Sequence, residues 1–159
     1  MTRTRFESAE PGGGGPAGVA PVVGVVVVTH GLACGDLVTA AEAIVGPLPD
    51  IVSVPTDLRE PVDVIQRRVA AAAAAADQGH GVLLLCDLHG STPANACQAL
   101  VATGVVDVLY GVNLAMLIKL STCDRRNTGP TELGAYLRDT ARRSIRLGSE
   151  MPGGGAAKP

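Results

Sequence analysis

Apolar residues along the chain concentrate in four short runs, near residues 22–29, 51–54, 82–87 and 105–110. The stretches between them are longer, and there apolar positions recur every three or four residues. Runs of Val, Ile and Leu without polar alternation predict strands covered on both faces, and the three-to-four spacing predicts helices. The first helix is expected over 33–46, stopping at Gly46-Pro47, and the second starts at Pro61, whose fixed φ suits a first helical position. Val62, Ile65 and Val69 mark its buried stripe, and Ala70 to Ala76 extend it with little bulk. Thr92-Pro93 reads as a capping hydroxyl followed by proline, with Ala94, Cys97, Leu100 and Val101 at helical spacing. Asn113 is expected to cap a helix reaching about residue 121, and Thr131 one reaching about residue 147. The last helix carries Arg138, Arg142 and Arg146 as a solvated face.

Strands alternating with helices make an α/β fold: an open, mainly parallel sheet with helices on both faces. The expected strand order is 2-1-3-4, the flavodoxin-like three-layer sandwich. The 159 residues suffice for one domain, placed at 21–148. The flanks 1–20 and 149–159, with "EPGGGGPAG" and "PGGGAAKP", have the composition of disordered tails.

A net charge of −2 and 2% aromatic residues argue against nucleic acid as a partner. The apolar run Val22 to Val28 is far short of the ~20 residues of a membrane helix, and Met1 to Gly18 lacks a signal peptide's apolar segment. The expected setting is therefore the cytoplasm, without membrane insertion. Cys34, Cys86, Cys97 and Cys123 show no metal-ligand spacing and are expected to be reduced thiols acting as small hydrophobes.

Two of the four runs end in residues that do not belong in a core. The first closes on Thr29-His30-Gly31, the third on Asp87-Leu88-His89-Gly90-Ser91-Thr92. In the order 2-1-3-4 these ends are neighbours at the switch point, where α/β sheets bind ligands. Asp87 could then hold one ring nitrogen of His30 and leave the other as a nucleophile. Backbone amides at the start of the third helix, with the hydroxyls of Ser91 and Thr92, could hold an anion such as a phosphoryl group, and Gly31 and Gly90 permit close approach. No nucleotide-binding loop of the GxxxxGK[ST] or GxGxxG kind is present, so another protein is the expected phosphoryl source.

The stretches "VVVVTHG", "LLLCDLHGSTPANA" and "LYGVNLAMLIKL", in this order, resemble the IIA component of the mannose-type sugar phosphotransferase system (PTS) over residues 22–148. The resemblance implies phosphorylation of His30 by the phosphocarrier protein HPr, transfer to a IIB component, and an Asp87 hydrogen bond to the His30 ring. Thr29, Ser91 and Thr92 match positions that line the site. It also implies a homodimer that exchanges a strand, with the segment after Cys123 as the counterpart, and calls for no cofactor and no metal. Two positions depart from the family. Gly90-Ser91-Thr92-Pro93 stands where Gly-Gly-Ser-Pro is usual, narrowing the pocket while Thr92 keeps the hydroxyl, and His89 replaces a residue that is often aromatic or apolar. His80 reads as surface.

Three rival readings remain. One is a divalent metal site of His30, Asp87 and His89. Another is a serine hydrolase using Ser91, His30 and Asp87, although Ser91 lies in no GxSxG elbow. The third is a phosphorylation-dependent regulatory module that binds a kinase or transcription factor and moves no sugar. The dihydroxyacetone kinase phosphoryl-donor subunit is a related family, but the Gly-Ser-Thr-Pro and Gly-Val-Asn stretches favour the mannose type. The residues name no sugar.

Overall fold

The computed structural model describes residues 21–102 and 104–151. The chain alternates strand and helix: β1 (Gly24–His30), α1 (Ala33–Val45), β2 (Ile51–Thr56), α2 (Val62–Ala76), β3 (Val82–Cys86), α3 (Thr92–Gln98), β4 (Val106–Tyr110), α4 (Leu114–Leu120) and α5 (Pro130–Ser144). All strand pairs are parallel and the order is β2-β1-β3-β4, as the pattern of runs predicts. The expected tails over 1–20 and 152–159 lie outside the described residues, while Gly148–Glu150 form a short 3-10 turn.

Consecutive strand residues point to opposite faces, which explains why the valine run has no polar alternation. Val25 and Val27, with Leu83 and Leu85, pack against α1, α4 and α5 through Ala41, Leu117 and Leu137. Val26 and Val28, with Leu84 and Cys86, pack against α2 and α3 through Ile65, Val69 and Cys97. Both faces of β1 and β3 are therefore closed, and in these two strands polar side chains appear only at or just past the carboxyl ends. The alanine run lets α2 lie close to the sheet. A Cβ added at Gly24 would sit 2.2 Å from the Ala76 carbonyl oxygen, so glycine is required where α2 meets β1.

Several boundaries differ from the expected ones, for local reasons. β2 runs two residues further, through Pro55; this is an edge strand, where a missing amide costs nothing on the open side. Val62 is exposed because the first turn of α2 overhangs the sheet, and the stripe begins at Ile65. Ser91, not Thr92, caps α3: its Oγ accepts from the Ala94 amide at 3.3 Å. Gly129 and Pro130, not Thr131, start α5. That helix stops at Ser144, where Arg146 Nε donates to the Arg143 carbonyl, one of the acceptors a helix end leaves open. Asn113 caps α4 as expected, its Oδ1 accepting from the Met116 amide.

The segment after Cys123 is a turn, not a strand. Asp124 Oδ1 accepts from the Arg126 and Asn127 amides, and the Arg125 carbonyl accepts from the Val23 amide of the same chain. Arg125 also pairs with Asp50. Among the described residues no helix is long and apolar enough to cross a membrane.

Candidate functional site

β1 ends at His30 and β3 one residue before Asp87, in neighbouring parallel strands whose registers match Val28 with Cys86. Asp87 follows Cys86 directly and His30 lies two residues past Val28, so the two leave the sheet at the same end, within hydrogen-bond reach. One carboxylate oxygen, Asp87 Oδ2, accepts from the His30 backbone amide at 2.8 Å and lies 2.9 Å from His30 Nδ1. The two side chains are 30% and 26% exposed, enough to be reached and dry enough for the contact to count. Burial alone works against charge on Asp87. The His30 amide and ring, with the Leu88 amide, outweigh that and hold its carboxyl below the ordinary aspartate value. An ionised carboxylate only accepts, so Nδ1 carries the ring proton. In the neutral ring Nε2 then keeps its lone pair.

Thr29 is fully buried. Its Oγ1 accepts from the Cys34 amide at 2.7 Å and its carbonyl accepts from Thr56 Oγ1, so it ties the start of α1 and the end of β2 to β1. Gly31 continues past His30 at φ +56°, its amide donating to the Thr56 carbonyl. Gly90 turns the β3–α3 loop at φ +80°. Both glycines hold conformations that L side chains rarely adopt, and both are exposed with open space where a Cβ would point.

Ser91 Oγ donates to the Leu88 carbonyl at 2.8 Å while capping α3, so it is engaged within the loop and not with His30. That leaves the serine hydrolase reading without its proton relay. Of the first amide positions of α3, Pro93 has no N–H, Ala94 is held by Ser91 and Asn95 donates to the Ser91 carbonyl. The exposed Thr92 keeps its amide and hydroxyl free of backbone and side-chain partners among the described residues.

His89 turns toward β4 and stacks edge-on against Tyr110, with ring centroids 4.8 Å apart. The grouping of His30, Asp87 and His89 that a metal would need is not formed: among the described residues no three His, Cys, Asp or Glu side chains converge. His80 is exposed, as expected. Cys34, Cys86 and Cys97 are buried free thiols, and Cys123 is half-buried.

The sequence did not single out the other wall of the site. His30 borders a cleft of about 910 Å³ that opens on the β2 side, away from Asp87's strand. Leu32, Leu58, Arg59 and Arg68 line it. The signal was present in "PTDLREP", a third polar strand end, but the switch-point rule directs attention only to the strands on either side of the reversal.

The family model described as PTS system fructose IIA component matches residues 24–133. The chain belongs to this PTS IIA family. A mannose-specific EIIAB component of the PTS from Escherichia coli K12 is 29% identical over 133 residues, covering 82% of this chain and 41% of the relative. The chain thus spans about two fifths of the length of that curated relative. A fructose-specific EIIA component from Bacillus subtilis is 26% identical over 130 residues, 81% of this chain and 88% of its own. Among solved structures, a mannose/sorbose-specific IIA subunit from Enterococcus faecalis superposes with a TM-score of 0.70 at 27% identity, covering 79% of this chain and 94% of that one. A phosphotransferase system EIIA from Streptococcus agalactiae, at 20% identity and a TM-score of 0.72 over 81% and 99% of the two chains, shares the fold. The mannose-type IIA assignment and the α/β sheet of order β2-β1-β3-β4 therefore agree with the relatives in sequence and in structure.

Proposed function

We propose that this chain is a phosphoryl carrier of the PTS, accepting a phosphoryl group on His30 from phospho-HPr in the cytoplasm and passing it to a IIB component. The observation that carries the reading is the double engagement of Asp87 Oδ2 by the His30 amide and Nδ1. It fixes the ring, puts the proton on Nδ1 and leaves Nε2 to react. In the transfer, the Nε2 lone pair forms the new N–P bond as the donor's N–P bond breaks, and its electron pair returns to the donor nitrogen. The Nδ1 proton stays in the hydrogen bond to Asp87, which stabilises the ring as it becomes more positive.

Gly31 and Gly90 leave room for the group, and the Thr92 amide and hydroxyl take phosphoryl oxygens. Ser91 shapes the turn that presents them, and Thr29 keeps β1, β2 and α1 in register from below. Phosphoryl transfer asks little beyond alignment and charge stabilisation, which this cluster supplies. We also propose that two copies associate. Past Val106, which Ala102 bridges, the outer edge of β4 is open, whereas Pro55 blunts the other edge of the sheet.

Incubation with phosphoenolpyruvate, the general phosphotransferase enzyme and HPr is expected to add one acid-labile phosphoryl group per chain. His30→Ala is expected to take up none; a His30→Ala protein that still carries the label overturns the assignment.

A further inference from the structure

We propose that Arg59 is the cation that receives the incoming phosphoryl group, presented to the His30 cleft by a preformed β2–α2 loop. The inference rests on the phosphoryl-carrier reading and adds to it a residue that the strand ends of β1 and β3 do not supply. A phosphoryl group arriving at Nε2 brings about two negative charges next to the ionised Asp87. Against this, the first turn of α3 offers one amide and one hydroxyl, both from Thr92, because Pro93 and the Ser91 cap remove the others there, and the remaining loop donors are neutral amides. Charge of this size at the mouth of a cleft needs a cation.

Two cations line that cleft, Arg59 and Arg68. Arg68 is committed. Its Nη1 donates to both oxygens of Glu60, at 2.7 and 3.0 Å, and its Nη2 donates to the Pro55 carbonyl at 2.8 Å. The rest of the loop is closed by its own hydrogen bonds. The Asp57 amide donates to Glu60 Oε2 at 2.9 Å, and the Arg59 amide donates to Asp57 Oδ1 at 2.8 Å. Asp57 Oδ1, both Glu60 carboxylate oxygens and the Arg68 guanidinium thus hold the loop shape. The Arg59 guanidinium joins no ion pair among the described residues and is exposed on the cleft.

Beside it stand Leu58 and, on the His30 side, Leu32, 84% and 74% exposed. Exposed leucines on both sides of a charged target describe a surface meant to be covered by a protein, with water expelled around the transferred group. A guanidinium fork fits the phosphoryl oxygens in two-point fashion, and a rigid loop avoids the ordering cost a free arginine would incur.

The test has two readouts, each on wild type, Arg59→Gln and Arg59→Lys. The first is the rate of labelling by phospho-HPr. The second is titration of the unphosphorylated protein with inorganic phosphate, followed by the NMR signals of the His30 ring. Arg59→Gln is expected to lower kcat/KM about tenfold and to remove the phosphate-induced shift, with Arg59→Lys restoring part of both. The melting temperature and the ring-proton signal of the His30–Asp87 bond stay unchanged. Labelling of Arg59→Gln at the wild-type rate, or an undiminished phosphate shift, overturns the inference. If wild type itself takes no label, the carrier reading fails, and the phosphate titration alone still decides whether Arg59 holds the anion.

Discussion

One oxygen atom, Asp87 Oδ2, holds the histidine that the sequence marked as out of place at the end of a buried run. Because the folded carboxyl is held below its ordinary value, this contact stabilises the native state above the unfolded aspartate pKa, about 3.9. The contribution is lost as pH falls through the lowered folded value. Denaturant midpoints of wild type and Asp87→Asn measured against pH are therefore expected to differ at neutrality and to converge in acid; a gap independent of pH contradicts the assignment. Thr29 tests a different point at the same scale. Removing its hydroxyl in Thr29→Val leaves the Cys34 amide buried without its acceptor, an expected loss of about 1 to 3 kcal/mol by chemical unfolding. The His30–Asp87 pairing was legible because both residues interrupt apolar runs. The commitments of Thr29 and Ser91 were not, since a hydroxyl's partner is set by tertiary geometry and not by spacing along the chain.

The strands and helices themselves follow from periodicity, and where the structure departs from it the cause is specific. Pro55 suggests a strand end, yet it continues β2 because an edge strand needs no amide on its outer side. Val62 completes a helical stripe in sequence but precedes the point where α2 reaches the sheet. The close seam between α2 and β1 is the most exacting feature at this scale. Gly24→Ala would drive a methyl into the Ala76 carbonyl, and unfolding in urea is expected to show a loss of about 2 kcal/mol or more. Ile65→Ala, which empties a buried position on the same helix, is expected to cost about 3 kcal/mol. A Gly24→Ala protein as stable as wild type would mean that α2 does not press on β1 as described.

The order β2-β1-β3-β4 brings three strand-end loops around one imidazole. In the proposed carrier the β1 and β3 ends supply nucleophile, orienter and oxygen-binding groups, while the β2 end forms the cleft wall with Arg59. The first two were legible because their polar residues stand out at the switch point. The third was not, because "TDLRE" reads as an ordinary helix-start turn until the fold sets it against His30. With β4 open at its outer edge past Val106, sedimentation is expected to report a dimer at micromolar concentration; a monomer would contradict the proposed association.

The most direct test of the whole account is the site of the N–P bond. In the phosphorylated protein with nitrogen-15-labelled histidine, phosphorus coupling is expected at Nε2 of His30, with Nδ1 still carrying the proton shared with Asp87. Coupling at Nδ1, or at another residue, would contradict the proposed roles of both side chains.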